Sequence, residues 1–163
     1  MTAAVLVAVS FAAILIVNVI WEQARQVLGL PEQPDYLPLF GQGISGLLVA
    51  LALGAVVAPL AEEVFFRGYL YAGLRARYGK LAGALGSSVL FAIVHLSPGV
   101  LVPILVMGII FALLYERTGS IWPCIALHSA VNGAAFMGAY IVSEYPDLAA
   151  AVLSFCLVIF GSS

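Results

Sequence analysis

The chain has 163 residues, of which 64% are hydrophobic and only 9% are charged. A soluble domain carries about 25% charged residues, so this chain cannot cover itself with a polar surface, and an integral membrane protein is the class that fits. The net charge of -2 is too small to indicate nucleic acid as a partner, whereas the composition implies contact with the lipid bilayer.

Long apolar runs predict an all-α, polytopic bundle of about six membrane helices in one domain, residues 1–163. The predicted helices, in chain order, are residues 3–21, 41–74, 81–96, 100–115, 121–142 and 148–160. The first lacks a basic n-region, so we expect a retained helix rather than a signal peptide. The second would be about 50 Å long, more than a bilayer needs, so we expect a tilt, an interfacial start or a break near Pro59. Cys124 and Cys156 match no metal or redox spacing and are expected to be packing residues.

The basic residues predict how the helices are oriented. If the spans alternate, one side of the membrane holds Arg75, Arg77, Lys80 and Arg117, while Arg25 lies on the other. The positive-inside rule then places those basic turns and both termini in the cytoplasm.

Residues 61–68 are the most informative stretch, because two adjacent glutamates and an arginine interrupt an apolar run there. Ionisable groups at membrane depth are costly and mark a functional site by default. Glu63 and Arg67 are four residues apart on one helix face, in the favourable acid-first order, and we predict that they form an ion pair. Glu62 is left free and is available as a general base. The alternative is a structural ion pair with one snorkelling glutamate.

Three further polar residues reach broadly similar predicted depths. At 1.5 Å per residue, the depths from the cytoplasmic boundary are about 18 Å for Glu62, 20 Å for His95, 10 Å for His128 and 16 Å for Asn132. His128 and Asn132 share one helix face, so both side chains can point at a single oxygen. Interhelical hydrogen bonds are the open alternative for these residues. Two histidines and a glutamate also suit a metal, although no HExxH-type helix supports one.

Three motifs resemble those of one protein family, in the same order and on three predicted membrane helices. Residues 62–68 (EEVFFRG) resemble its EExxxR motif, residues 91–95 (FAIVH) its FxxxH motif, and residues 128–132 (HSAVN) its HxxxN motif. This family is the CPBP group (CAAX protease and bacteriocin-processing, or Abi) of intramembrane endopeptidases, which includes the type II CAAX prenyl endopeptidases. The similar region covers about residues 59–136, roughly half of the chain.

The resemblance implies an endopeptidase that uses a glutamate-activated water to hydrolyse a peptide bond of a membrane-associated or lipidated peptide or protein. Glu62 would be the general base on water, and His95 would hold or activate that water. His128 and Asn132 would stabilise the oxyanion, a contribution of about 3–4 kcal/mol per donor in hydrolases. The supporting residues that fix the helix and the base would be Glu63 and Arg67.

The resemblance leaves the cofactor open, because the motifs fit both a metalloprotease and a metal-free mechanism. We expect no required cofactor; the alternative is a divalent metal such as Zn²⁺ on Glu62, His95 and His128. The expected partners are a peptide or protein substrate, lipidated or not, and the lipid bilayer. Many relatives have more helices, and so compact a chain suggests a protein of a prokaryotic plasma membrane.

Two other classes of function fit the same residues. A non-catalytic immunity or binding protein of this fold would keep the polar cluster for stability or ligand binding. A small proton-coupled transporter would use Glu62 and the histidines as a proton relay. Such transporters often contain internal repeats, and the sequence shows none.

Overall fold

The structure is a computed structural model that describes residues 2–151, and all regular elements in that range are helical. The predicted all-α bundle is therefore confirmed. The main helices are α1 (Ala3–Val27), α2 (Gly43–Tyr78), α3 (Lys80–Ile93), α4 (Leu101–Thr118) and α5 (Trp122–Glu144). Short 3₁₀ turns at Leu37–Phe40 and Pro98–Val100 precede α2 and α4. Residues 146–151 are also helical, but most of the predicted helix 148–160, with Cys156, lies outside the described residues.

Within the described range, four helical stretches are long and apolar enough to cross a membrane: α1, α2, α5 and Pro98–Thr118, which contains α4. The remaining apolar helix, α3, has only 14 residues. At 1.5 Å per residue its length is about 21 Å, which is shorter than the ~30 Å hydrocarbon core. The predicted end at residue 96 is also wrong, because α3 ends at Ile93 and the chain turns before the next helix.

Helix α1 is longer than predicted, because it continues beyond residue 21 to Val27. Side-chain hydrogen bonds at spacings of three and four residues stabilise this last part. Arg25 and Gln26 both donate to Oε1 of Glu22, at 2.6 and 2.8 Å. Arg25 also donates to the carbonyl of Leu30, which satisfies a backbone acceptor just beyond the helix.

Helix α2 is continuous but twice switches from the α to the π hydrogen-bond register and back. Two π-helical segments, Leu51–Val57 and Val64–Tyr71, flank the α-helical segment Ala58–Glu63. Pro59 lies in the first turn of the middle segment, directly after the first π-helical segment. Prolines and π turns are both common causes of helix irregularity. The break expected near Pro59 is thus a change of register within an uninterrupted helix.

The helices α3 and α4 approach each other very closely at Gly108. A Cβ atom there would lie 2.9 Å from Cβ of Ser88, so only glycine fits without a shift. Small residues at helix interfaces let backbones approach in this way. The buried core around this contact consists of Ile14, Phe66, Phe91, Met107, Phe111, Leu114, Cys124 and Leu127.

The end of α1 packs over the turn between α3 and α4. Nε1 of Trp21 donates to the carbonyl of Gly99 at 2.5 Å. A cavity of about 400 Å³ lies beside this contact, with Arg25 and Pro103 among its lining residues. None of the motif glutamates or histidines lines it. The motif glutamates lie instead at the interface of α2, α4 and α5.

Candidate active site

Glu63 and Arg67 form a fully buried ion pair on α2. Nη1 of Arg67 lies 3.0 Å from Oε1 of Glu63, and neither side chain is exposed to solvent. Nη2 donates to the carbonyl of Gly108 on α4 at 3.2 Å. The guanidinium also lies over the rings of Phe91 and Phe111, 4.5 and 4.9 Å from their centroids. The predicted ion pair is therefore present, and it joins α2 to α4.

His128 of α5 extends this network across a second helix interface. Its Nδ1 atom lies 3.0 Å from Oε1 of Glu63, and the residue is 1% exposed. Since that carboxylate also accepts from Arg67, we assign the proton of this contact to Nδ1. The rings of Phe111 and Phe91 pack on the imidazole at centroid distances of 5.1 and 5.7 Å. The imidazole is thus held both in position and in orientation.

Glu62 approaches the other nitrogen of the same imidazole. Its Oε2 atom lies 3.8 Å from Nε2 of His128, too far for a hydrogen bond. This oxygen is buried without a hydrogen-bond partner among the described residues, yet the side chain as a whole is 33% exposed. Oε1 of Glu63, in contrast, is occupied by Arg67 and His128. Glu62 is therefore the more accessible glutamate of the pair.

His95 lies next to this cluster without being bonded to it. It follows the end of α3, and its Nδ1 atom lies 2.7 Å from the carbonyl of Phe91. The ring of Phe91 contacts both histidines, at centroid distances of 4.9 Å to His95 and 5.7 Å to His128. Within residues 2–151, no hydrogen bond or ion pair joins His95 to Glu62 or His128. The role of His95 towards water stays a prediction.

Asn132 contacts the backbone of α2 rather than the two carboxylates. Its Nδ2 atom donates to the carbonyl of Gly54 at 2.9 Å. Gly54 belongs to the first π-helical segment of α2, Leu51–Val57. The interhelical hydrogen bond that the sequence left open for Asn132 is present, and its role at an oxyanion stays a prediction.

The candidate metal ligands do not surround a common point. Among the described residues, no three His, Cys, Asp or Glu side chains are grouped so that they could share one ion. Nδ1 of each histidine is directed at a protein acceptor, Glu63 for His128 and the carbonyl of Phe91 for His95, an arrangement that is also found in metal-binding histidines and does not count against a metal. In this arrangement Glu62, His95 and His128 do not form a joint metal site.

Two participants in the site were not predicted from the sequence. Gly108 contributes only its backbone carbonyl to Arg67, so it leaves no chemical signal in the sequence. The ring of Phe111 packs on His128 and on the guanidinium of Arg67. In the sequence, nothing distinguishes Phe111 from the other apolar residues of its helix. The sequence signal that points to Gly108 is a glycine within an apolar helix, which indicates close packing against a neighbouring helix.

Comparisons with known proteins identify a family of membrane peptidases. The family model "Rce1-like: Type II CAAX prenyl endopeptidase Rce1-like" matches residues 43–134, which include both glutamates, His128 and Asn132. "Putative membrane peptidase YdiL" of Bacillus subtilis is 30% identical over 106 residues, 65% of this chain and 43% of that protein. "UPF0177 protein YxdF" of Lactococcus lactis is 33% identical over 78 residues, 47% of this chain and 42% of that protein. The chain thus covers less than half the length of these relatives. No solved structure matches it significantly.

Proposed function

The chain belongs to the Rce1-like family of type II CAAX prenyl endopeptidases, and from this membership we propose that it is an intramembrane endopeptidase. It would hydrolyse a peptide bond of a membrane-associated or lipidated peptide or protein, using water activated by a glutamate. The observation that carries the proposal is the approach of Glu62 to His128, with 3.8 Å between Oε2 and Nε2. A free carboxylate oxygen thereby faces an imidazole that Glu63 orients from its other side.

Glu62 is the proposed general base. Its carboxylate takes a proton from the water whose oxygen attacks the carbonyl carbon of the substrate. When the C–N bond breaks, the protonated Glu62 returns this proton to the departing amine. The water is then divided between the two products, and Glu62 is restored as a carboxylate. Its 33% exposure gives this side chain the access that the fully buried Glu63 lacks.

His128 is the proposed oxyanion donor. Oε1 of Glu63 accepts from Nδ1 and orients the ring. Donation to the substrate oxygen then requires a proton on Nε2 as well. Arg67 in turn fixes Glu63, so two linked side chains hold the donor in place. Preorganised donors in a site that excludes water stabilise developing charge most effectively. His95, whose Nε2 makes no hydrogen bond within the described residues, is the proposed partner of the water.

The structure also bears on the proposed orientation. Glu116, near the end of α4, forms ion pairs with Arg75 and with Lys80, the latter at 2.7 Å. The two basic turns therefore lie on the same side of the bundle, as alternating spans require. We place this side, and both termini, in the cytoplasm of a prokaryotic plasma membrane because of the positive-inside rule.

The test is cleavage by the purified protein in liposomes. A library of lipidated and unlipidated peptides is offered, and new termini are identified by mass spectrometry. We expect cleavage by the wild type, a loss of about 10²-fold or more in Glu62→Gln, and full activity in Glu144→Gln, an exposed glutamate of α5. Equal cleavage by wild type and Glu62→Gln would exclude Glu62 as the base. If no peptide is cleaved, a non-catalytic immunity or binding protein becomes the better interpretation. Proton flux across the same liposomes would instead indicate a transporter.

A further inference from the structure

The carbonyl of Gly54 lacks a donor within its own helix. In the first π-helical segment, the N–H of Ala58 bonds to the carbonyl of Leu53, five residues earlier. The next bond in this register would run from residue 59 to Gly54, but proline has no N–H. Nδ2 of Asn132 donates to that carbonyl at 2.9 Å. The amide of Asn132 thus stands where the N–H of Pro59 is missing.

The packing of α5 on α2 brings this amide to the backbone. A Cβ atom on Gly54 would collide with the ring of Phe136, one turn beyond Asn132 on α5. A Cβ on Gly133 would lie 3.8 Å from Cβ of Ala55, in ordinary contact. The two helices therefore meet closely over the first π-helical segment. In a bilayer an unsatisfied carbonyl is destabilising, because no water replaces the lost partner.

The position at which the π register ends decides where the two glutamates point. The segment Ala58–Glu63 follows directly and carries both of them. One extra residue within a turn rotates all later side chains by about 100°, since an α-helix has 3.6 residues per turn. A shift of register at Gly54 would therefore turn Glu62 and Glu63 away from His128.

We propose that Asn132 is a positioning residue that replaces the missing N–H of Pro59 and so holds Glu62 and Glu63 towards His128. His128 and Asn132 are one turn apart on α5, so one helix face both contacts the carboxylates and fixes the helix that carries them. The effect of this arrangement on catalysis rests on the proposed function. The hydrogen bond and the orientation of the glutamates do not depend on that function, and both can be tested without a substrate.

The test is a double-mutant cycle between Asn132→Ala and Pro59→Ala, read by reversible unfolding in bicelles. In the wild-type background we expect Asn132→Ala to lower the ratio of folded to unfolded protein by about 3- to 10-fold, the range of membrane hydrogen bonds. In the Pro59→Ala background the helix has its own donor, so the loss should be clearly smaller. The matched control is Asn18→Ala, which removes a similar bond to the carbonyl of Ile14 within α1. Its effect should be the same in both backgrounds.

A second readout follows the glutamates through the ¹⁵N resonances of the His128 ring. We expect Asn132→Ala to shift these resonances and Pro59→Ala to restore them in the double variant. An equal loss of stability in both backgrounds, or unchanged His128 resonances in a folded Asn132→Ala protein, would overturn the proposal. If Asn132→Ala does not fold alone, a folded double variant supports the proposal and an unfolded one overturns it. These outcomes do not depend on whether any peptide is cleaved.

Discussion

His128 lies against Glu63 at 3.0 Å, although the two residues are 65 positions apart and on different helices. The contact joins two of the three sequence motifs through a fully buried carboxylate. Arg67 balances the charge of that carboxylate, and it does so while bonded to the backbone of a third helix. The charged residues that first distinguish this sequence therefore fix α2, α4 and α5 to one another.

Removing Arg67 should destabilise the protein strongly. Arg67→Met leaves Glu63 buried without its cation, which typically costs about 3–5 kcal/mol. The free energy of unfolding in bicelles measures the effect. Arg77→Ala, which removes an exposed arginine at the end of α2, should change it little. The double variant Glu63→Gln/Arg67→Met should recover part of the loss. Equal stability of Arg67→Met and wild type would mean that the pair is not buried as described.

Gly108 should not tolerate a side chain. In Gly108→Ala the new methyl group meets Cβ of Ser88 at 2.9 Å, and overpacking of this kind costs about 1–3 kcal/mol. A shift of α4 would also lengthen the bond from Arg67 to the Gly108 carbonyl. Gly138→Ala on α5 is the matched control, because nothing lies within 4 Å of its added Cβ. Thermal unfolding should separate the two variants, and similar melting temperatures would refute the close contact of α3 with α4.

Metal removal should leave cleavage unchanged if the proposed mechanism is correct. The purified protein is treated with a chelator, assayed in liposomes, and measured for zinc by mass spectrometry. We expect full activity and less than one zinc ion per chain, since Glu62 acts on water directly. Loss of activity that added Zn²⁺ restores would replace this mechanism with a metal-dependent one. In that case Glu62→Gln should also lower the zinc content.

Chemical labelling should establish the orientation. Gln33→Cys lies in the connection between α1 and α2, and Arg77→Cys lies near the basic turn after α2. Each is introduced into a chain without Cys124 and Cys156, and cells are treated with a maleimide that does not cross membranes. We expect labelling of Gln33→Cys in intact cells and of Arg77→Cys only after lysis. The reverse pattern would invert the proposed topology.

Local rules were sufficient for part of the site. The spacing of Glu63 and Arg67 predicted their ion pair, because residues four apart share a helix face. The depth estimate placed Glu62 closest to His95 and Asn132, whereas the side chain that Glu62 approaches is that of His128, to which a smaller depth was assigned. These predictions needed only helix geometry and the cost of charge in a membrane.

The remaining features depend on backbone hydrogen bonds and on tertiary packing, which spacing does not encode. The preceding π-helical segment sets the rotation of the α-helical segment that carries both glutamates, and these meet one imidazole at its two different nitrogens. His95 lies beyond its helix, because α3 ends at Ile93. The depth predicted for His95 assumed a helical rise up to residue 95 and therefore does not apply. Asn132 reaches a carbonyl that is exposed only because Pro59 lacks an N–H.

The shortness of α3 has a consequence for the surrounding lipid. A helix of about 21 Å is about 9 Å shorter than a hydrocarbon core of ~30 Å. A bilayer can accommodate such a hydrophobic mismatch by becoming thinner around the protein. The polar end of α1 lies beside the C-terminal end of α3, because Trp21 bonds to the carbonyl of Gly99 in the turn that follows α3. We therefore expect the protein to prefer membranes with short acyl chains. Its unfolding free energy, measured across lipids of increasing chain length, should fall as the bilayer thickens, and a flat profile would show that the lipid does not adapt to α3.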